Sequence, residues 1–493
     1  MKLFTIGDSV SQGFMSLAGA RTDLSYSSIL ARCLDISKDY RFPAWGAEGL
    51  PVNIEAALRK LEEDNGSDIA GFEWLRAVKS LAKILNVTET YYERGPGAEL
   101  ERYDPPTPFF HNVAAWGFKI ADAWGVTPAV CREAIRVENS EGKGRDGFFA
   151  VPSAPMYRSA LSVLNPSREQ GNEGRSQLGW LEEHHRTSGV DNLLLFVGAN
   201  NALSSLIELQ IRMTPGDGRV AGLRHFAREE ERWNLWHPRD FEVEYTQLIE
   251  RVDAILDGAR PDGAAPTKVF VGTIPLVTIC PLAKGVGPTT TVGNEVLYKY
   301  YTYFPFEEGA VQAGAPALTI QDVQFIDRCI RRYNELIVQI VEASNRTHPD
   351  RYHVVDICGA LSALAWKRNG GKPTYAFPKE FEWLYPPVNT KYYHADRNGR
   401  LVQGGIFSLD GVHPTAIGQG LLAHEFLEVM RKAGVVAGDI DWKSIFRSDA
   451  LYRKPISLMQ EIYEHEKLAE WVIKLVRAHM SAAKTRQLPY DLR

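Results

Sequence analysis

The chain has 493 residues, of which 44% are apolar, 24% charged and 11% aromatic, a composition that excludes a largely disordered chain and provides for a large buried core. Its net charge of -5 comes from interspersed acids and bases, without the basic stripe that a phosphate backbone requires, so nucleic acid is excluded as a partner. Length alone would allow about three domains, a soft prior that the placement of motifs overrides.

In chain order, Met1 to Ile6 lead directly into Gly7-Asp8-Ser9, leaving no room for a charged n-region, an apolar h-region and a cleavage site; a cytoplasmic chain is the expectation. Five short apolar runs bounded by glycine, proline or polar residues read as buried strands of a mostly parallel sheet: Leu3 to Ile6, Phe109 to Val113, Leu193 to Val197, Val269 to Ile274 and Tyr352 to Ile357. Helical patterns lie between them. Phe241 to Leu256 carries Val243, Leu248, Val252, Ile255 and Leu256 at helical spacing, and Ile326 to Val341 follows Asp322. Alternation of strand and helix predicts an α/β protein, a three-layer α/β/α sandwich on a five-stranded sheet.

The gaps between these runs far exceed one crossover helix, so large insertions are expected at about residues 36–107, 125–190, 280–320 and 360–405 of a domain spanning 1–437. Residues 438–493 read as a C-terminal helical extension with Met459, Ile462, Ala469, Val472 and Val476 on one face. The most apolar later stretch, Val269 to Ala283, is interrupted by Pro275 and Pro281 and is shorter than the ~20 residues a membrane span needs, so no stable membrane insertion is expected. The five cysteines (Cys33, Cys131, Cys280, Cys329 and Cys358) lack metal or redox spacing and read as mostly buried thiols in a reducing compartment.

Three blocks carry chemistry. Gly7-Asp8-Ser9 follows the first strand, which sets Ser9 where a helix begins and where backbone N–H groups and the helix dipole favour an oxyanion. Gly198-Ala199-Asn200-Asn201 follows the strongest strand pattern, at the sheet edge where open α/β sheets bind ligands, and an asparagine amide is a good neutral donor to an oxyanion. Asp410-Gly411-Val412-His413-Pro414 places a carboxylate three residues before an imidazole and just ahead of a helix starting near Thr415, so one turn can let Asp410 orient His413 toward a nucleophile. Each block alone is also what a helix cap or a plain turn looks like.

Taken together and in this order, Gly-Asp-Ser, Gly-x-Asn and Asp-x-x-His resemble the SGNH hydrolase superfamily, the GDSL-like esterases and lipases. The resemblance implies a fourth element, a glycine whose N–H completes the oxyanion hole, preceded by an asparagine five residues earlier. Asn112 and Gly117 fit it; Gly49, in another glycine-rich stretch, is the rival. This chain departs from the family in two places, with Val10 where leucine is common and Asn201 where aspartate is frequent. What the resemblance implies is a serine ester hydrolase with Ser9 as nucleophile, His413 as base, Asp410 as its partner, and Ser9, Gly117 and Asn200 forming the oxyanion hole. It implies no metal or organic cofactor, and a small-molecule ester as substrate, an acylated lipid or sugar. An acyltransferase and a non-catalytic lipid- or carbohydrate-binding module on the same fold are the alternatives.

Other signals are discounted. Glu182-Glu183-His184-His185 has no matching ligand set and reads as a solvated helix face. Asn369-Gly370-Gly371-Lys372-Pro373-Thr374 lacks the spacing of a phosphate loop. Two aromatic clusters, Tyr298 to Phe306 and Tyr375 to Tyr393, suit packing of the insertions, an oligomer interface or the wall of an acyl or sugar pocket.

Overall fold

The computed structural model describes residues 2–18, 21–45, 52–66, 90–92, 95, 98–140, 154–464, 469–470, 472–474 and 477. Four parallel strands form the central sheet: β1 (Leu3–Gly7), β2 (Asn192–Phe196), β3 (Lys268–Gly272) and β7 (Tyr352–Val355), in the spatial order β1-β2-β3-β7. Every residue of β1 and β2 is buried, as expected of strands covered on both faces.

The side chains show what covers them. Phe4 packs on His184 of helix α3 (Gln177–Ser188), whereas Phe196 packs on Tyr26 of α2 (Tyr26–Cys33) and on Phe426 of α8 (Ala416–Lys432). Gly7 is the register partner of Phe196 and lies three residues from Phe4, so the two phenylalanines point to opposite faces and helices cover both. Two further helices, α5 (Pro238–Leu256) and α6 (Ile320–Asn345), pack on each other; Phe241 of α5 stacks on Tyr333 of α6 at 4.0 Å. A capping box between Thr319 and Asp322 starts α6 six residues ahead of the stretch that hydrophobic periodicity marks.

The fifth expected strand is not part of this sheet as a regular element. Phe109 to Val113 runs beside β1 with one parallel bridge, Asn112 to Thr5, and with hydrogen bonds Thr5 N to His111 O (2.9 Å), Val113 N to Thr5 O (3.1 Å) and Ala115 N to Gly7 O (3.3 Å). It is cut short at both ends: the His111 N–H goes to Arg41 O at 2.7 Å, and the Gln177 amide donates to Gly7 O (2.9 Å) and Val113 O (2.8 Å), where a regular ladder would bond Gly7 N to Val113 O.

Residues 280–320, expected as an insertion, contain an antiparallel hairpin, β4 (Ala283–Val292) and β5 (Glu295–Tyr303), extended by β6 (Leu318–Thr319). Residues 360–405, likewise expected as an insertion, contain the short pair β8 (His394–Ala395) and β9 (Leu401–Gln403). Aromatic residues join the two: Phe304 stacks on Tyr392 at 3.5 Å and nearly parallel. In the C-terminal extension Met459, Ile462, Ala469 and Val472 are buried; Val476 lies outside the described residues. All five cysteines are buried free thiols, and no described helix is long and apolar enough to cross a membrane.

The expectation of a solvated face at Glu182 to His185 is corrected. Glu182 is exposed and Glu183 pairs with Arg175 and Arg186, but His184 and His185 are buried. His184 lies among the rings of Phe4, Phe109 and Trp180, and burial pushes its pKa down to about 4, so it serves as a neutral aromatic of the core. Asn369 closes helix α7 (Ile357–Leu364) by donating to the carbonyls of Ser362 and Ala365, each at 2.8 Å.

Candidate active site

All four strands of the sheet run the same way, so their C-terminal ends bring together the segments that follow them: Asp8-Ser9 after β1, Gly198 to Asn200 after β2, Pro275 after β3 and Ile357 after β7. Ser9 opens α1 (Ser9–Gln12), a single turn capped by the Asp8 carboxylate, which accepts from the Val10 N–H at 3.1 Å. One turn carries little macrodipole, which corrects the expectation drawn from the helix start. What it offers is the Ser9 N–H itself, which as the first helical residue has no acceptor within the helix.

His413 joins Ser9 to Asp410. Its Nε2 lies 2.8 Å from Ser9 Oγ and its Nδ1 2.9 Å from Asp410 Oδ2, with all three residues buried. Asp410 accepts three backbone N–H groups besides, from Val412 (2.9 Å), His413 (2.8 Å) and Leu17 (3.0 Å). Burial alone would raise its pKa; the adjacent His413 and these N–H donors outweigh that and hold it below the ordinary carboxylate value. An ionised Asp410 accepts the proton on Nδ1, which leaves the Nε2 lone pair facing the serine hydroxyl.

Two loops hold this arrangement. Gly411 has φ +68°, and a Cβ there would come within 2.8 Å of the Leu282 backbone, so the Asp-Gly-Val-His turn requires glycine. The other loop is clasped by reciprocal bonds: Ser16 N to Ser408 Oγ (2.8 Å) and Leu409 N to Ser16 Oγ (3.2 Å). Ser16 and Leu17 both adopt positive φ, and this bend delivers the Leu17 N–H to Asp410.

Gly117 sits on a loop tied to the turn that carries Ser9. Gln12, the last residue of α1, accepts from Trp116 N at 3.0 Å, and Asn112 donates to Ser11 O at 2.8 Å. At Gly117 φ is +80° and a Cβ would meet Met156 Sδ at 2.6 Å, and no described residue accepts its N–H. The rival Gly49 lies outside the described residues. Asn200, the first residue of α4 (Asn200–Glu208), donates one amide hydrogen to Phe118 O at 2.9 Å, leaving the second for another acceptor. Asn201 turns away, fully buried: its Oδ1 accepts from Ile120 N at 3.1 Å and its amide approaches Glu244 at 3.4 Å.

Ser9, Asn200 and His413 line one cleft of about 880 Å³ including its open mouth. Asp8 lines it too, and burial raises its pKa to about 7. Between the unfolded value near 3.8 and about 7 the native state binds a proton that the unfolded chain has lost. Stability from this group is therefore complete below about pH 4 and lost as pH rises through about 7, a change on the order of 4 kcal/mol. Asp8→Asn keeps a capping oxygen without the charge. It should melt a few degrees above wild type at pH 8 and level with it at pH 4; calorimetry showing the same difference at both pH values rejects this account.

Two residues outside the sequence motifs also position the site. Gln12 holds the Gly117 loop through Trp116 N, and Gln177 of α3 donates to both Gly7 O (2.9 Å) and Val113 O (2.8 Å), bridging β1 and the neighbouring segment. Their only signal in the sequence is a glutamine inside a buried pattern. Among the described residues no group of three or more His, Cys, Asp or Glu could hold a metal ion. Comparison with protein-family models, with curated proteins and with solved structures finds no match to this chain.

Proposed function

We propose that this chain is a serine ester hydrolase of the SGNH, GDSL-like kind, a three-layer α/β/α domain with large insertions that works through a covalent acyl-enzyme. The observation that carries the proposal is the hydrogen-bonded series Asp410, His413, Ser9, ending at a serine that lines a cleft beside Asn200. Ser9 Oγ attacks the ester carbonyl carbon as His413 Nε2 takes its proton. The negative charge that develops on the carbonyl oxygen is met by the N–H groups of Ser9 and Gly117 and by the free amide hydrogen of Asn200. Collapse of this intermediate expels the alcohol, which takes the proton from His413. Water then repeats the sequence on the acyl-serine, releasing the carboxylic acid and restoring Ser9.

An active-site-directed fluorophosphonate tests the reading directly, because it reacts with a serine activated in this way. One phosphonyl adduct per chain is expected, on the peptide that contains Ser9. A folded chain left unlabelled, or labelled on another serine, overturns it.

A further inference from the structure

We infer that the cleft beside Ser9 takes the straight alkyl chain of a medium-chain carboxylic ester, about eight carbons long, an inference that rests on the reading of Ser9 as the acyl acceptor. The polar groups of the cleft are unevenly placed. Asp8, Ser9, Asn200 and His413 gather at the reaction centre, and beyond them the walls are apolar.

Two helices supply those walls. Ile357, Ala360, Leu361 and Leu364 line the cleft from α7, and Gly418, Leu421, Leu422 and Glu425 line it from α8. Both sets follow the spacing i, i+3, i+4, i+7, so each is one stripe along a helix face. Because α8 begins three residues after His413, its stripe leads away from the reaction centre. At 1.5 Å per residue the seven residues from Gly418 to Glu425 advance about 10 Å. Tyr375 and Glu425 are the lining pair at that remote end, joined by a hydrogen bond of 2.5 Å from the phenol to the carboxylate. An extended alkyl chain advances about 1.25 Å per carbon, so about eight carbons cover the stripe from Gly418 to this polar pair.

An acetyl group would leave these walls uncovered, whereas each methylene added along them leaves water for an apolar surface, an effect of about fourfold on kcat/KM. Chains longer than the stripe would have to displace the Tyr375 and Glu425 pair.

The experiment is a series of p-nitrophenyl esters from acetate to palmitate, run on the full chain and on Ala360→Trp, which places an indole in the middle of the α7 stripe. For wild type, kcat/KM should rise at least 100-fold from acetate to octanoate and stop rising by dodecanoate. In Ala360→Trp the ratio of octanoate to acetate should fall at least tenfold. A second measurement does not depend on turnover: N-methyloctanamide, a neutral stand-in for the ester, should bind wild type in a calorimetric titration while N-methylacetamide should not. Ester hydrolysis that depends on Ser9 but is level or falling with chain length overturns the acyl cleft and leaves the hydrolase. Binding of the octanamide by a chain that turns over no ester supports the acyl cleft and overturns the hydrolase.

Discussion

Ser9→Ala is expected to lower ester turnover at least 10⁴-fold while the melting temperature stays within a degree or two of wild type. The substitution deletes one hydroxyl, whose hydrogen-bond partner is His413 Nε2 at 2.8 Å, and the cap from Asp8 to Val10 does not involve it. Without the hydroxyl no acyl-enzyme forms, and what survives is the binding cleft and the oxyanion donors, which in serine hydrolases still give some rate over water. The measurement is kcat on one activated ester together with a melting curve and the fluorophosphonate label. Wild-type turnover in a folded Ser9→Ala chain would show that another group performs the chemistry.

The sheet and the residues of the candidate site differ in how far the sequence discloses them. Three of the four strands of the sheet are nearly continuous apolar runs, Thr5 with its hydroxyl bonded to Tyr40 being the exception in β1, and the structure ends them within two residues of the expected places, because a strand covered on both faces has little room for polar side chains. Phe109 to Val113 misled for a physical reason: its apolar pattern is that of a strand, but Arg41 O takes the His111 N–H and the Gln177 amide bridges Gly7 O and Val113 O, so the ladder stays short. Ser9, Asp410 and His413 were legible because short motifs hold them, and the separation of 404 positions from Ser9 to His413 is closed by the order of the parallel strands. The buried and half-buried charge pairs that follow Gly117 in sequence were not legible. Lys119 pairs with Glu229 at 2.5 Å, and Asp122 meets His225 at 2.9 Å and Arg228 at 3.5 Å; these partners come from segments a hundred residues apart and form no local pattern. The aromatic clusters divide in the same way. Tyr375 lines the cleft, whereas Phe381 packs on Trp442 and Phe446, and Tyr385 is 91% exposed, so composition alone could not separate wall from packing.

Asn200 and Asn201 put the strongest remaining constraint on the mechanism, since adjacent amides invite a shift of one residue. Their surroundings separate them. Asn200 lines the cleft with an amide hydrogen to spare, while both ends of the buried Asn201 side chain are used, by Ile120 N and by Glu244. Glu244 also explains why asparagine stands where aspartate is common in the family that the motifs resemble. A carboxylate at 201 would face the Glu244 carboxyl, whose pKa burial already raises to about 7, and two acids in that space could not both ionise. Asn200→Ala removes a donor whose hydrogen bond strengthens as charge develops on the substrate oxygen, so kcat should fall ~10²- to 10³-fold with little change in KM. Asn201→Ala instead leaves the buried Ile120 N–H without an acceptor, which costs about 1–3 kcal/mol of stability and should show first as a lower melting temperature, with a smaller loss in kcat. Measuring kcat, KM and melting temperature for both variants on one activated ester decides between the two amides. A larger loss of kcat in Asn201→Ala than in Asn200→Ala would move the oxyanion donor to Asn201.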